Sequence, residues 1–128
     1  MAFEVLEATL PAQAAAGATS VTEVGVIPST ESETNWGLQK LSLAAPSLVT
    51  GVATNNVTFN IRAVTGGTPA VVGTLTLGAG VNLAAEAEVN VPISAAAVAA
   101  GAVLDVQMVQ NGTGLAVPAG VLVKAEIA

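Results

Sequence analysis

Val57-Thr58-Phe59-Asn60-Ile61-Arg62-Ala63-Val64-Thr65-Gly66-Gly67-Thr68-Pro69-Ala70-Val71-Val72-Gly73-Thr74-Leu75-Thr76-Leu77 decides the fold class. Val57, Phe59, Ile61 and Ala63 alternate with Thr58, Asn60 and Arg62, a period of two that puts apolar side chains on one face of a strand. Beyond Thr65-Gly66-Gly67-Thr68-Pro69, a second run sets Val71, Gly73, Leu75 and Leu77 against Val72, Thr74 and Thr76. Glycine takes positive φ without steric cost, so the two runs are expected to form a hairpin through the Gly-Gly turn.

Working outward, the same period continues. Val81, Leu83, Ala85, Ala87, Val89, Val91 and Ile93 form the longest alternation, with Glu86, Glu88 and Asn90 on the wet face, and predict one long strand. Leu104, Val106 and Met108 repeat it until Asn111-Gly112-Thr113-Gly114 breaks the pattern. Val121, Val123, Ala125 and Ile127 close the chain with Lys124 and Glu126 outward. Toward the N-terminus, Glu4–Leu10, Ser20–Ile27 and Trp36–Leu43 read as strands. Pro28–Asn35 reads as a polar, acidic and mobile loop. The Ala-rich stretches 11–18 and 94–102 are expected to be connectors, each with room for a helical turn. About eight short strands separated by Gly, Pro and Asn turns predict an all-β antiparallel sandwich. A jelly roll suits eight strands best, with an Ig-like sandwich as the alternative. Residues 1–128 are read as a single domain.

Composition narrows the function. Of 128 residues, 3 are Lys or Arg and 9 are Asp or Glu, a net charge of −6. Lys40, Arg62 and Lys124 are scattered, whereas nucleic acid requires clustered cations, so no nucleic-acid partner is expected. The mean hydropathy is +0.72, but no apolar run approaches the roughly 18 residues of a spanning helix. Three aromatics cannot supply the girdles of a membrane barrel, and Glu4 and Glu7 stand where a signal peptide would be basic. No membrane partner is expected. Charged residues make up only 9 %, against about 25 % in average domains. Such a surface is expected to bury against neighbours, through self-association or a larger assembly.

The chemistry-bearing residues are few. There is no His and no Cys, which removes the commonest general base, thiolates and the usual zinc ligands. Glu86 and Glu88, roughly 7 Å apart if they share a strand face, lack the aromatics of a sugar cleft and read as solvated charges. The Glu31/Glu33 loop lacks a calcium-loop spacing. Gly78-Ala79-Gly80 has no following helix and reads as a turn, and the triplets at Asn56 and Asn111 read as chance glycosylation matches. Lys40 and Lys124 give no specific signal for an isopeptide bond. No catalytic residue, metal ligand or cofactor is expected, and the chain reads as a non-enzyme. Two residues stand out as possible interface positions. Trp36 is the single tryptophan, a core anchor or a plug for a partner surface. Asp105 interrupts an apolar run, either as an outward residue at a strand start or as an intersubunit contact.

Asn56-Val57-Thr58-Phe59-Asn60-Ile61-Arg62, Val72-Gly73-Thr74-Leu75 and the run from Val98 to Gln107 resemble small virion proteins of tailed phages. Asn111-Gly112-Thr113-Gly114-Leu115-Ala116-Val117-Pro118-Ala119-Gly120 adds to that likeness, over roughly residues 55–128. The resemblance is to capsid decoration (cement) proteins, especially of phages infecting actinobacteria. It implies a structural protein made in the host cytoplasm and carried on the capsid exterior, bound to the major capsid protein, often as a homotrimer. The segment from Val98 to Gln107 is also similar to jelly-roll domains of phage fibres and receptor-binding proteins, so the alternative function is a phage fibre, tail or receptor-binding (carbohydrate-binding) jelly-roll module.

Overall fold

The computed structural model describes residues 4–15, 21–26 and 36–128, with Glu4, the stretch 21–26 and Trp36 described through their backbone alone. Among these described residues nine strands follow in chain order: β1 (Glu4–Leu10), β2 (Val21–Val26), β3 (Trp36–Ala44), β4 (Asn56–Thr65), β5 (Thr68–Thr76), β6 (Glu88–Asn90), β7 (Ala97–Val98), β8 (Val103–Asn111) and β9 (Val121–Ile127). There is no helix among the described residues. The loop expected over Pro28–Asn35 lies outside them.

All the strand pairs are antiparallel. One sheet runs β1-β9-β3-β6, with β7 attached to the start of β3, and the other runs β2-β8-β4-β5. The pairs nest: β4 with β5, β3 with β6, β2 with β8, β1 with β9. A long hairpin folded in this way and wound into two sheets is a jelly roll. An Ig-like order would place the second strand in the same sheet as the first; here the first strand lies beside the last.

The core lies between the sheets. Phe59, Ile61, Leu41, Leu43, Leu77, Leu83, Leu104 and Met108 are fully buried. β9 follows the expected alternation: Val121, Val123, Ala125 and Ile127 face inward. β4 and β5 turn through Gly66 and Gly67 at φ +57° and +82°, a two-residue loop whose doubly positive φ matches the strand twist. β5 departs from the expected alternation at one point. Ile61 pairs with Gly73 and Arg62 with Val71, which leaves Val72 unopposed. This β-bulge reverses the faces, so Val71 is exposed while Val72 is buried.

The long strand expected over Val81–Ile93 does not form. Only Glu88–Asn90 is strand, with isolated bridges from Leu83 to Val49, Ala85 to Ala45 and Ile93 to Gly73. The segment leaves the edge of one sheet at β3 and reaches the edge of the other at β5, so it cannot stay straight. Glu86 turns it at φ +53°, held by its N–H donating to the Ala45 carbonyl at 2.7 Å. Leu83 and Val91 are nonetheless buried; the alternation recorded burial rather than strand pairing. The stretch 94–102 likewise takes extended form in part. Ala97 and Val98 pair with Gly37 and Trp36, and Ala96 accepts the Leu38 N–H at 2.8 Å. Binding the free edge of β3 offers these groups partners that an isolated helical turn could not. In the other Ala-rich stretch Gln13 bridges to Val117, and residues 16–18 lie outside the described set.

Candidate interaction surfaces

The two outer sheet faces differ in charge. On β1-β9-β3-β6, register sets Glu7 beside Lys124 and Glu126 beside Lys40. Glu88 of β6 pairs with Lys40 and lies 3.7 Å from Lys124. The hydrogen bond from Lys40 lowers the Glu88 pKa from the ordinary carboxylate value, and the same bond raises that of Lys40. Glu86 sits in the turn before β6, exposed, so Glu86 and Glu88 do not share a strand face as expected. This face is a solvated charge lattice. It holds both lysines of the chain.

The outer face of β2-β8-β4-β5 is built from β8 residues Val103, Asp105, Gln107, Val109 and Asn111, whose alternates Leu104, Val106, Met108 and Gln110 point into the core. Asp105 is 9 % exposed and meets Arg62 of β4, its register partner, through two parallel hydrogen bonds: Arg62 Nε donates to Oδ1 at 2.7 Å and Nη2 to Oδ2 at 2.6 Å. Forked pairing of this kind is the strong form of an ion pair. Around it the polar side chains partner one another. Asn60 Nδ2 donates to Gln107 Oε1 at 3.2 Å, Thr74 Oγ1 to Asn60 Oδ1 at 2.5 Å, and Asn111 Nδ2 to Asn56 Oδ1 at 2.8 Å and Thr58 Oγ1 at 3.0 Å. Thr58 and Thr76 share a hydrogen bond at 2.7 Å. Across its described side chains, this face carries no uncompensated charge. At the β2 edge, register sets Glu23 opposite Gln107 and Gly25 opposite Asp105.

A third surface is the end of the sandwich where β3 leads into β4. Residues 45–55, 77–85 and 112–120 meet there without one Asp, Glu, Lys or Arg. Side chains tie them down. Asn82 Oδ1 accepts the Gly51 N–H at 2.8 Å, Asn55 Oδ1 accepts the Thr113 N–H at 2.9 Å, and Asn56 Nδ2 donates to the Val52 carbonyl at 3.0 Å. Beneath them the fully buried Gln110 holds Leu115 at both backbone groups, accepting its N–H at 2.6 Å and donating to its carbonyl at 3.0 Å. Leu48 nevertheless projects, 61 % exposed. It forms part of the wall of a shallow depression of about 390 Å³, together with Val49, Leu115, Pro118 and the polar Ser47 and Thr50.

Of the two positions singled out in the sequence, Asp105 is thus paired within its own chain. Trp36 opens β3 opposite Val98, and its side chain lies outside the described set, as does the Glu31/Glu33 loop. The strands of Trp36 and Asp105 belong to different sheets. Leu48 and Gln110 escaped the sequence reading because neither belongs to a visible pattern: Leu48 is a lone apolar residue in a turn, and Gln110 is a polar residue at an inward position. Among the described residues, no group of three acids, His or Cys is placed to hold a metal ion, and no helix is long and apolar enough to cross a membrane. No protein-family model matches the chain, and none of the curated proteins compared with it matches either.

Proposed function

We propose that the chain is a non-enzymatic structural protein of a tailed-phage virion, a cement that binds the capsid exterior and stabilises the shell. The observation that carries this reading is the self-paired polar face around Arg62 and Asp105. Where cross-strand partners already satisfy part of a face's donors and acceptors, a neighbour that covers it strands fewer polar groups, so covering it costs less desolvation. Binding the assembled shell and not its separated subunits stabilises the shell by mass action. The resemblance of residues 55–128 to decoration proteins points the same way. Protein quantification of purified particles is the test. The chain is expected in amounts comparable to the shell subunits, and its removal is expected to lower the temperature at which particles release their DNA. A handful of copies per particle overturns the reading.

The nested strand order favours a second reading, since jelly rolls also serve as lectin domains. In that case the isolated protein binds glycans on an array and loses them on Trp36→Ala.

A further inference from the structure

We infer that the Asn111-Gly112 peptide is a self-modification site, where the fold restrains conversion of the Asn111 amide to an aspartyl or isoaspartyl residue. This is the one Asn-Gly pair in the chain. A glycine after asparagine leaves the next backbone nitrogen unshielded by a side chain, free to attack the side-chain carbonyl carbon. The fold permits no bulkier residue there. Gly112 has φ +63°, and a Cβ on it would collide with Asn55 Oδ1 and stand 3.1 Å from the Thr54 carbonyl. The turn that ends β8 therefore imposes the reactive neighbour.

The chemistry needs only water. The Gly112 nitrogen bonds to Asn111 Cγ, and the side-chain nitrogen leaves as ammonia with the Gly112 proton, giving a cyclic succinimide. Water then opens the ring at Cγ, which yields an aspartyl side chain on an ordinary backbone. Opening at the backbone carbonyl carbon instead routes the main chain through Cβ and Cγ, the isoaspartyl form. Three features hold the reaction back. Asn111 closes β8, and an extended backbone carries the Gly112 nitrogen away from Cγ. Asn111 Nδ2 donates to Asn56 Oδ1 at 2.8 Å and to Thr58 Oγ1 at 3.0 Å, which pins the side chain across β4. The Asn111 carbonyl accepts the Gly114 N–H at 3.0 Å, which fixes the same peptide from its other side. Modification would end this arrangement. An ionised carboxylate has no proton to donate to Asn56 Oδ1, and the isoaspartyl main chain is longer where Asn111 pairs with Asn56.

This site does not depend on the capsid reading above. The full chain is incubated in heavy-oxygen water at mildly alkaline pH, folded and in urea, and the label is mapped by peptide mass spectrometry. Label is expected at position 111, entering at least about tenfold more slowly in the folded chain. Thr58→Val removes one of the two acceptors with a residue suited to a strand, so its circular dichroism should match the parent chain. Its folded form is expected to label about threefold faster or more. Absence of label at position 111 in urea, equal rates in the two states, or a folded Thr58→Val chain that labels at the parent rate overturns the inference.

Discussion

Arg62 and Asp105, 43 residues apart in the chain, lie side by side on neighbouring strands with both carboxylate oxygens engaged by one guanidinium. Their side chains are only 11 % and 13 % exposed, so removing one partner leaves the other charge largely out of water. Asp105→Ala is expected to cost about 2–4 kcal/mol in chemical unfolding. The double substitution Arg62→Met with Asp105→Leu is expected to recover most of that loss, because two apolar groups leave no orphaned charge. A double variant as unstable as the sum of the singles would contradict this account.

Gln110 makes the second prediction. It is a fully buried amide that bonds the Leu115 backbone twice and donates to Gln13 Oε1 at 2.9 Å. Gln110→Leu keeps the volume but strands those groups, with an expected loss of about 2–4 kcal/mol in urea unfolding. Hydrogen exchange should quicken first at the Leu115 amide.

Three glycines are expected to respond differently to a side chain. A Cβ at Gly73 would stand 2.5 Å from Leu41 Cδ1 and 3.0 Å from the Pro92 carbonyl, where the crossing segment seals the core. Gly73→Ala is expected to cost about 1–3 kcal/mol. Gly51→Ala should cost more, since its Cβ would collide with the carbonyl oxygens of Gly78 and Val81. Gly66 has open space around it and φ +57°, so Gly66→Asn, which creates the favoured Asn-Gly turn, should change stability by less than about 1 kcal/mol. Thermal melts of the three variants test the ranking.

The Lys40–Glu88 pair has a signed pH dependence. Glu88 has its folded pKa below the ordinary 4.5, so its contribution is present above that value and is lost as pH falls through the lowered pKa. Lys40 has its folded pKa above the ordinary 10.5, so its contribution is present below that value and is lost as pH rises beyond it. The stability gap between the parent chain and Glu88→Gln is therefore expected at neutral pH and should close in strong acid. Both groups are exposed, so the gap should be small and should shrink with salt. Unfolding midpoints at the two pH values, with and without salt, check the sign.

Local alternation and turn chemistry determined much of this protein. The β4–β5 hairpin with its Gly-Gly turn, the inward faces of β8 and β9, the bounds of β1 and β9, and the two-layer all-β class all follow from period-two patterning, because burial on one side of a strand is written in neighbouring residues. Tertiary structure decided what depends on residues far apart. Val81–Ile93 alternates like a strand but crosses between sheets, since pairing needs a free edge that the pattern does not encode. Val72 entered the core through a bulge set by its partner strand. Asp105 found Arg62, and Leu48 came to stand beside Leu115 and Pro118, only when nested pairing brought distant strands and loops together. Periodicity reports which side of the chain is dry; which strangers meet there is a property of the closed fold.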